Sequence, residues 1–506
     1  MTSHPRIRDP RLLSRLASAE QAAACIVPDS VVATSGFTGS GSPKAVPLAL
    51  AERIHRAHDA GQPFRIGLLT GASTAPELDG ALARAEGIRL RVPYQSDPDT
   101  RLRINAGQID YIDMHLSHVA QQAKAGIYGA IDTAVIEVAG ITADGGLIPT
   151  TSIGNNKTWL NLARQVILEV NRWQPEGLEG LHDIYYGRSA LPGRTPIPLT
   201  EPGQRIGEPW LRCDPDRIVA IVETDASDRN LPFKAADAVS QRIAGHLLEF
   251  LRHEVARGRL PANLLPLQSG VGNTANAVLL GLSDGGFSQL TAFTEVIQDG
   301  MLELIDRGVL LQASATAVSL SPEATARLKQ HIDRYRSRIV LREQGISNHP
   351  ELIRRLGCIA MNGMIEADLY GNVNSTHIMG SAIQNGIGGS GDFARNSHLA
   401  IFMAPSTAKG GRISSIVPMV SHVDHTEHDV SVIVTEQGLA DLRGLAPKQR
   451  ARAVITQCVH PEFRDALQDY FDRACAASAG KHTPHLLTEA LGWHQRFLDS
   501  GDMRLR

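Results

Sequence analysis

The chain has 506 residues, of which 42% are hydrophobic and 20% charged, and its formal net charge is −3. This composition is typical of a globular protein, and the absence of a long basic run argues against nucleic-acid binding. A chain of this length predicts two domains.

Five scattered cysteines without a C-x-x-C pair indicate reduced thiols and a cytoplasmic protein. Residues 1–30 have no sustained apolar region, which argues against a signal peptide. No run of about 18 apolar residues is present, so no membrane span is expected.

The first half of the chain alternates short apolar runs with helical patterns. Strands are predicted at 30–34, 65–70, 111–117 and 133–139, and a helix at 43–60 has Pro in its first turn and Ser42 as a plausible N-cap. Strands that alternate with helices favour an α/β domain with a largely parallel sheet. A long Pro- and Gly-rich connection is predicted at 173–216, before a further strand at 217–224.

A second α/β domain is predicted to begin near residue 225, giving domains 1–224 and 225–506. Its clearest helix covers 239–255, where apolar residues recur every four positions. The elements predicted after it are a strand at 264–268, a glycine turn at 269–273, a helix at 274–282 and a strand at 290–294. Paired strands are predicted at 358–376, with turns at Asn362–Gly363 and Gly371–Asn372, and helices from about 445.

The segment NGIGGSGDF contains a literal G-x-G-x-x-G, formed by Gly386, Gly388 and Gly391. A dinucleotide site needs a strand before this motif, a helix after it and an acidic residue about 20 positions further on. The preceding segment is a poor strand, and no acidic residue lies between Asp392 and Asp424. The motif therefore favours a tight turn, or a loop whose backbone N–H groups face a ligand oxygen, over NAD binding.

A similar segment, TSGFTGSGSPKAVP, places Gly36, Gly39 and Gly41 between a strand and a helix. Such a turn suits a phosphate or a carboxylate at the helix N-terminus. It is equally the ordinary way in which parallel α/β proteins turn at strand ends, and both interpretations stay open.

A histidine-rich segment, SHVDHTEHD, contains His422, Asp424, His425 and His428. These side chains are metal ligands in many proteins, but their spacing fits no standard zinc pattern. The segment therefore favours a polar surface loop.

Two carboxylates lie where predicted strands end. Glu295 follows the apolar run of TAFTEVIQDG, and Glu436 follows VSVIV. A cap for the next helix is the ordinary role of such a residue. Because ligands of α/β proteins bind at the carboxyl ends of strands, the pair also favours an active site.

These motifs together resemble the acetyl-CoA hydrolase/transferase family of class I CoA-transferases. The resemblance is carried by TAFTEVIQDG, SGVGNTANAV, NGIGGSGDFARN, GRISSIVP and VIVTEQGLADLRG, and by GSPKAVP, STAPELDGALA and IPTTSIGNN in the first half. It implies two open α/β domains of the ribose-phosphate-isomerase-like type, with the active site between them. It also implies a homodimer that needs no metal and no organic cofactor, since CoA is a substrate. Ser42 and Ala75 depart from the family's pattern.

The resemblance implies a role for each candidate residue. Glu295 is the implied nucleophile, Asn348 holds an acyl oxygen, and Glu436 lies beside the nucleophile. Val271 and Gly389 are implied as backbone N–H donors. The other residues implied around the oxyanions and the CoA are Gly272, Asn273, Gly388 and Lys409.

The implied reaction transfers CoA from succinyl-CoA to acetate and gives acetyl-CoA and succinate. A carboxylate nucleophile suits this reaction. Its two intermediates, a glutamyl anhydride and a glutamyl-CoA thioester, are both activated acyl groups, so the free energy of the thioester is conserved. The expected partners are acyl-CoA and small carboxylates, not nucleic acid or a membrane. An acyl-CoA hydrolase is the alternative, because exclusion of water cannot be read from a sequence. A non-catalytic CoA-binding protein is disfavoured by the intact Glu295, Asn348 and glycine loops.

Overall fold

The structure is a computed structural model that describes residues 4–188, 191–230, 237–270 and 272–504. It divides into two compact α/β units that are discontinuous in sequence. Unit 1 comprises Met1–Pro232, Ala292–Asp299 and Leu311–Leu356, and unit 2 comprises Phe233–Thr291, Gly300–Leu310 and Gly357–Arg506. The segment that contains Glu295 is therefore grouped with unit 1. The division of the sequence into 1–224 and 225–506 stays a prediction.

The strands are short. In chain order they are β1 (Val31–Thr34), β2 (Ile66–Leu69), β3 (Ile88–Val92), β4 (Asp110–Tyr111), β5 (Thr133–Ile141), β6 (Leu147–Pro149), β7 (Gln165–Asn171), β8 (Ile218–Thr224), β9 (Leu267–Ser269), β10 (Leu290–Phe293), β11 (Val296–Ile297), β12 (Leu310–Ala315), β13 (Ala317–Val318), β14 (Ile339–Leu341), β15 (Ile359–Gly363), β16 (Glu366–Asp368), β17 (Val373–Asn374), β18 (His377–Ile378), β19 (Ala382–Ile383), β20 (Leu399–Met403), β21 (Thr407–Ala408), β22 (Ile413–Ser414), β23 (Ile416–Val417), β24 (Val432–Thr435) and β25 (Gly438–Asp441).

The helices, in chain order, are α1 (Ala19–Ala24), α2 (Ala45–Asp59), α3 (Ala81–Arg84), α4 (Pro98–Asn105), α5 (Leu116–Lys124), α6 (Asn156–Leu162), α7 (Ala238–Ala256), α8 (Asn273–Asp284), α9 (Asp299–Asp306), α10 (Pro322–Gln330), α11 (Ile332–Arg336), α12 (Gln344–Ser347), α13 (Pro350–Leu356), α14 (Ser390–Asn396), α15 (Pro447–Cys458), α16 (Pro461–Ala477) and α17 (Gly492–Ser500). Among the described residues, no helix combines the length and the hydropathy that a membrane crossing requires.

Unit 1 is built on a sheet with the strand order β4-β3-β2-β1-β5-β7-β8, in which all neighbours run parallel. Strand β6 adds to β5 in the antiparallel direction. All nine residues of β5 are buried, as expected for a central parallel strand covered on both faces. Helix α2 packs Leu50 and Ile54 into the same core as Val32, Leu68 and Val135.

One predicted strand of unit 1 is wrong. The run 111–117 was expected to be extended, but β4 ends at Tyr111 and α5 begins at Leu116. The reason is the spacing of the buried residues Leu116, Val119 and Ala123, which lie on one face of a helix that continues beyond the apolar run.

The start of α2 also differs from the prediction, because its N-cap residue is Lys44 and not Ser42. The carboxylate of Glu169 on β7 accepts hydrogen bonds from the N–H groups of Lys44, Ala45 and Val46 at 2.6 to 3.1 Å. The glycine turn before α2 therefore presents the helix N-terminus to a carboxylate of the protein itself. This finding argues against a phosphate or substrate carboxylate at this helix N-terminus.

Unit 2 contains the parallel run β9-β15-β20-β24, which β25 extends in the antiparallel direction. Helices α15 and α16 bury Val454 and Phe463 in one core with Phe402 and Ile433 of this sheet. The predicted helices at 239–255 and 274–282 are confirmed as α7 and α8.

The hairpin turn predicted at Asn362–Gly363 is wrong. These residues end β15, which pairs in parallel with β9 and β20 and forms no hairpin with the next strand. The turn at Gly371–Asn372 is confirmed, because β16 and β17 on its two sides pair in the antiparallel direction. Gly371 has a φ of +99°, a conformation that favours glycine.

The helix cap of α2 gives a first prediction. Replacing Glu169 with Ala leaves the N–H groups of Lys44, Ala45 and Val46 without their acceptor, so the free energy of unfolding should fall by about 2–3 kcal/mol. Glu169→Gln keeps an acceptor oxygen, so its free energy of unfolding should fall clearly less than that of Glu169→Ala. Denaturant unfolding followed by circular dichroism measures both variants. Equal stability of wild type and Glu169→Ala would contradict a stabilising role.

Candidate active site

Glu295 lies two residues after the end of β10, and its main chain is held firmly. Its carbonyl oxygen accepts hydrogen bonds from the N–H groups of Thr316 and Ala317, at 2.9 and 3.1 Å. The N–H group of the preceding residue, Thr294, donates to the carbonyl of Ser314 at 2.9 Å. Strand β11, which follows directly, pairs in parallel with β13. The residue is therefore fixed on both sides, while its side chain is only partly buried.

Asn348 contacts the carboxylate directly. Its side-chain Nδ2 donates a hydrogen bond to Glu295 Oε1 at 2.5 Å. Asn348 is fully buried at the C-terminal end of α12, and its main-chain N–H donates to the carbonyl of Gln344 at 2.9 Å. The structure thus brings together two of the residues that the sequence singled out. A fixed amide donor at this place can stabilise negative charge that develops on an oxygen.

The short helix that carries Asn348 is anchored by an ion pair at its start. Glu343, the residue before α12, accepts a hydrogen bond from Lys157 Nζ at 2.5 Å, and both side chains are about nine-tenths buried. The Gln344 side chain donates to the carbonyl of Leu116 at 3.0 Å. Because removing one partner of a buried ion pair is costly, this pair keeps α12 in one position.

A small apolar cluster includes residues next to Glu295 in the chain or bonded to its main chain. Its buried members are Phe37, Ala72, Leu116, Val296 and Ala317, and Tyr94 packs against them. The cluster therefore packs the main chain around Glu295 against the loops that follow β1 and β2.

Glu436, in unit 2, follows β24 and is half-buried. Ser406 donates to it twice, from the main-chain N–H to Oε2 at 2.7 Å and from Oγ to Oε1, and Gln437 donates to Oε1 at 2.8 Å. Burial alone would raise the pKa of Glu436, but these hydrogen bonds outweigh it and hold the pKa below its ordinary value. The carboxylate is therefore ionised at neutral pH.

The remaining predicted residues belong to loops of unit 2. Gly272, with a φ of +136°, precedes Asn273 at the start of α8, and Gly389 precedes α14 directly after Gly388, which has a φ of +57°. Lys409 is exposed in the turn between β21 and β22. Val271 lies outside the described residues. The roles assigned to these positions stay predictions.

The G-x-G-x-x-G segment lacks the setting of a dinucleotide site. Strand β19, which precedes it, pairs with β18 in an antiparallel hairpin and not in a parallel sheet. The structure therefore agrees with the preference for a turn or backbone-donor loop over NAD binding.

The histidine-rich segment is not simply a polar surface loop, as the sequence suggested. His425 is buried, its ring lies 4.7 Å from that of Phe402, and its Nε2 is 3.2 Å from Ser390 Oγ and 3.3 Å from Ser375 Oγ. Within 4–188, 191–230, 237–270 and 272–504, no group of three or more His, Cys, Asp or Glu residues is arranged to hold a metal ion.

Several residues that hold the site were missed by sequence reasoning. Thr316, Gln344, Lys157 and Ser406 are each brought to their partners by folding, and nothing in their own sequence neighbourhood signals it. Ser406 and Glu436, for example, are 30 residues apart.

The contacts of Glu436 give a second prediction. Ser406→Ala removes the hydroxyl donor and keeps the main-chain N–H, so the pKa of Glu436 should rise toward its ordinary value. Carbon-13 NMR titration of the glutamate side chains measures this pKa. Ser406→Thr retains a hydroxyl and serves as the control. An unchanged pKa in the alanine variant would show that the hydroxyl does not stabilise the ionised form.

The chain as a whole is similar to known proteins. Models of the acetyl-CoA hydrolase/transferase N-terminal and C-terminal domains match residues 6–223 and 325–471. The chain is 50% identical to the succinyl-CoA:acetate CoA-transferase of Clostridium kluyveri, over 99% of this chain and 92% of that protein. It is 44% identical to the propanoyl-CoA:succinate CoA transferase of Escherichia coli, over 96% of this chain and 98% of that one. It is 43% identical to the acetyl-CoA hydrolase of Saccharomyces cerevisiae, over 93% and 91%.

Solved structures show the same fold. RipA from Yersinia pestis is 23% identical and superposes with a TM-score of 0.70 over 92% of this chain and 98% of that one. A 4-hydroxybutyrate CoA-transferase from Porphyromonas gingivalis is 20% identical, with a TM-score of 0.62 over the same shares. The fold class predicted from the sequence, two α/β domains of the CoA-transferase type, is confirmed. Together with the full-length relatives, these matches show that the chain belongs to the acetyl-CoA hydrolase/transferase family, and so to the CoA-transferase or acetyl-CoA hydrolase enzymes.

Proposed function

We propose that this protein transfers CoA from succinyl-CoA to acetate, with Glu295 as the nucleophile. The observation that carries the proposal is the 2.5 Å hydrogen bond from Asn348 to a carboxylate whose main chain is fixed by Thr316 and Ala317. The choice of acyl groups is supported by the 50% identity to the Clostridium kluyveri protein of that name.

In the first step, a Glu295 oxygen attacks the thioester carbonyl carbon of succinyl-CoA. The carbon–sulfur bond breaks, CoA leaves as the thiolate, and Glu295 becomes part of a mixed anhydride. This step is difficult, because a carboxylate with a reference pKa of about 4.3 displaces a thiolate whose conjugate acid has a pKa of about 8.5. Binding energy from the remote part of CoA must therefore be expressed in the transition state.

The thiolate then attacks the side-chain carboxyl carbon (Cδ) of Glu295, and succinate leaves with the electron pair of the broken carbon–oxygen bond. The enzyme now carries CoA as a glutamyl thioester. Acetate attacks that thioester and releases the thiolate, and the thiolate attacks the acetyl carbon of the new anhydride. Acetyl-CoA and free Glu295 result. Each intermediate is an activated acyl group, so little free energy is lost.

Two oxygens acquire negative charge in these steps, one on the substrate acyl group and one on Glu295. We assign Asn348 Nδ2 as a donor to the acyl oxygen, since it already reaches Glu295 Oε1 in the free enzyme. Losing one such donor typically costs about 3–4 kcal/mol of transition-state stabilisation. Val271 and Gly389 are proposed as main-chain donors on the strength of the family resemblance.

The other assignments rest on the resemblance alone. We assign Glu436 beside the nucleophile. The residues assigned to binding of the oxyanions and the CoA are Gly272, Asn273, Gly388 and Lys409. The chemistry needs no metal or organic cofactor, because Glu295 carries each acyl or CoA group in turn. A cytoplasmic homodimer is part of the same proposal.

A second candidate function is hydrolysis of acetyl-CoA, favoured by the 43% identity to the Saccharomyces cerevisiae hydrolase. It would use the same nucleophile. Water in place of acetate would attack the glutamyl-CoA thioester and release free CoA. The two functions differ in whether water reaches that thioester.

The nucleophile is tested by trapping. Borohydride added to enzyme and succinyl-CoA should reduce one glutamyl thioester to the alcohol, and peptide mass spectrometry should place it within residues 291–300. Glu295→Ala should lose activity by more than about 10³-fold, because no covalent intermediate forms. Glu303→Ala, which changes a partly exposed glutamate on α9, should behave as wild type. Reduction at another residue would overturn the assignment.

Transfer and hydrolysis are separated by measuring CoA release with and without acetate. With succinyl-CoA alone, release should be slow, whereas acetate should produce acetyl-CoA much faster. Double-reciprocal plots at several fixed acetate concentrations should be parallel, because CoA stays on the enzyme between the half-reactions. Intersecting lines would require both substrates bound at once. Fast release without acetate would identify a hydrolase.

A further inference from the structure

A closed ring of hydrogen bonds joins Glu295 to Asn348 by a second route. The Asn348 side chain donates to Glu295 Oε1, and the main-chain N–H of Asn348 donates to the Gln344 carbonyl at 2.9 Å. The Gln344 N–H donates in turn to the Gly154 carbonyl at 2.8 Å. The Gly154 N–H then donates to Thr316 Oγ1 at 3.0 Å, and the Thr316 N–H donates to the Glu295 carbonyl at 2.9 Å. All five residues lie in unit 1, and the ring fixes the distance between the carboxylate and the amide.

Gly154 is the residue at which the two halves of the ring meet. Its N–H donates to Thr316, whose main chain is bonded to Glu295. Its carbonyl accepts from Gln344, at the start of the helix α12 that carries Asn348. Its φ is +49°, and a Cβ there would lie 3.2 Å from the Cα of Gly71, so only glycine fits without strain. The main chain at this point is therefore tightly constrained by its surroundings.

Thr316 closes the ring with its hydroxyl group. The residue is fully buried, so the Gly154 N–H has no route to bulk water that would replace this acceptor. The two segments are also joined by a main-chain bond, from the N–H of Ile153 to the carbonyl of Thr316 at 2.9 Å. That bond survives any change of the Thr316 side chain, so the fold should persist when the hydroxyl is removed.

We propose that Thr316 is a positioning residue, whose hydroxyl acts through Gly154 and Gln344 to hold the Asn348 amide in register with the Glu295 carboxylate. Its catalytic consequence rests on the proposed function. Without the hydroxyl, the Gly154 N–H is left buried and unpaired, and the chain must shift to satisfy it. Such a shift moves α12 relative to Glu295, and small misplacements of reacting groups reduce the rate strongly.

The activity test compares Thr316→Val with Thr316→Ser. Valine has the shape of threonine without the acceptor, so kcat should fall roughly 10- to 100-fold while KM changes little. Serine keeps the hydroxyl and should restore kcat to near the wild-type value. Thr133→Val is the matched control, because it removes a buried acceptor of the Gln165 side chain at the start of β5. It should lower stability and leave kcat unchanged.

A double-mutant cycle tests whether Thr316 acts through Asn348. Asn348→Ala alone should lower kcat by about 10²–10³-fold. Thr316→Val added to Asn348→Ala should then cost less than about twofold, because there is no amide left to position. Equal effects of Thr316→Val in both backgrounds would overturn the proposal, and so would a normal kcat in Thr316→Val.

Hydrogen exchange tests the ring without reference to any reaction. In Thr316→Val, peptides that cover 152–157 and 343–349 should exchange faster than in wild type, although the mutated residue lies far away in the sequence. Thr316→Ser and Thr133→Val should leave these peptides protected. Unchanged protection in Thr316→Val would refute the ring. If Thr316→Val shows this response but the wild-type enzyme neither transfers nor releases CoA, the proposed function is refuted and the ring is not.

Discussion

The hydrogen bonds that Thr316 and Ala317 donate to the Glu295 carbonyl are the interactions on which this site depends. A carboxylate is a weak nucleophile, and its side chain can sample several rotamers. Fixing the main chain on both sides limits the positions that the carboxylate can take. The hydrogen bond from the Asn348 amide reduces their number further. In the proposed reaction, the entropic cost of orienting Glu295 is then met during folding and not in each turnover.

The loops of unit 1 are held by buried ion pairs as well as by apolar contacts. Lys44 Nζ lies 2.5 Å from Glu137 and 3.1 Å from Asp228, and all three side chains are buried. Burial raises the pKa of Glu137 to about 7, although the Lys44 ammonium opposes the rise. Together with the Lys157–Glu343 pair, this network joins parts of the chain that are far apart in sequence. Breaking such pairs one partner at a time is costly, which favours a single arrangement of the loops.

The sequence predicted the features that depend on local pattern. The apolar run that becomes β10, the four-residue repeat of α7 and the position of Glu295 after a strand could all be read from neighbouring residues. The end of β4 was misjudged, because an apolar run alone does not distinguish a strand from the first turn of α5.

The contacts that build the site could not be read in the same way. Gly154 and Thr316 are 162 residues apart, and Lys44 and Glu169 are 125 apart. The residues of each pair meet only because the fold brings their loops and strands together. The resemblance to a known family singled out Asn348 before the structure showed its hydrogen bond, but nothing local indicated Thr316 or Glu169.

The carboxylate of Glu169 at the start of α2 has a kinetic consequence. A helix N-terminus normally carries a partial positive charge that attracts anions over some distance. Here the N–H groups that carry this charge are already bonded to Glu169 inside the protein, so they are not available to an approaching polyanion such as CoA. Long-range attraction of a polyanion then depends on other charges, such as exposed basic side chains. Salt screens such exposed charges, so an association rate that depends on them falls as the ionic strength rises.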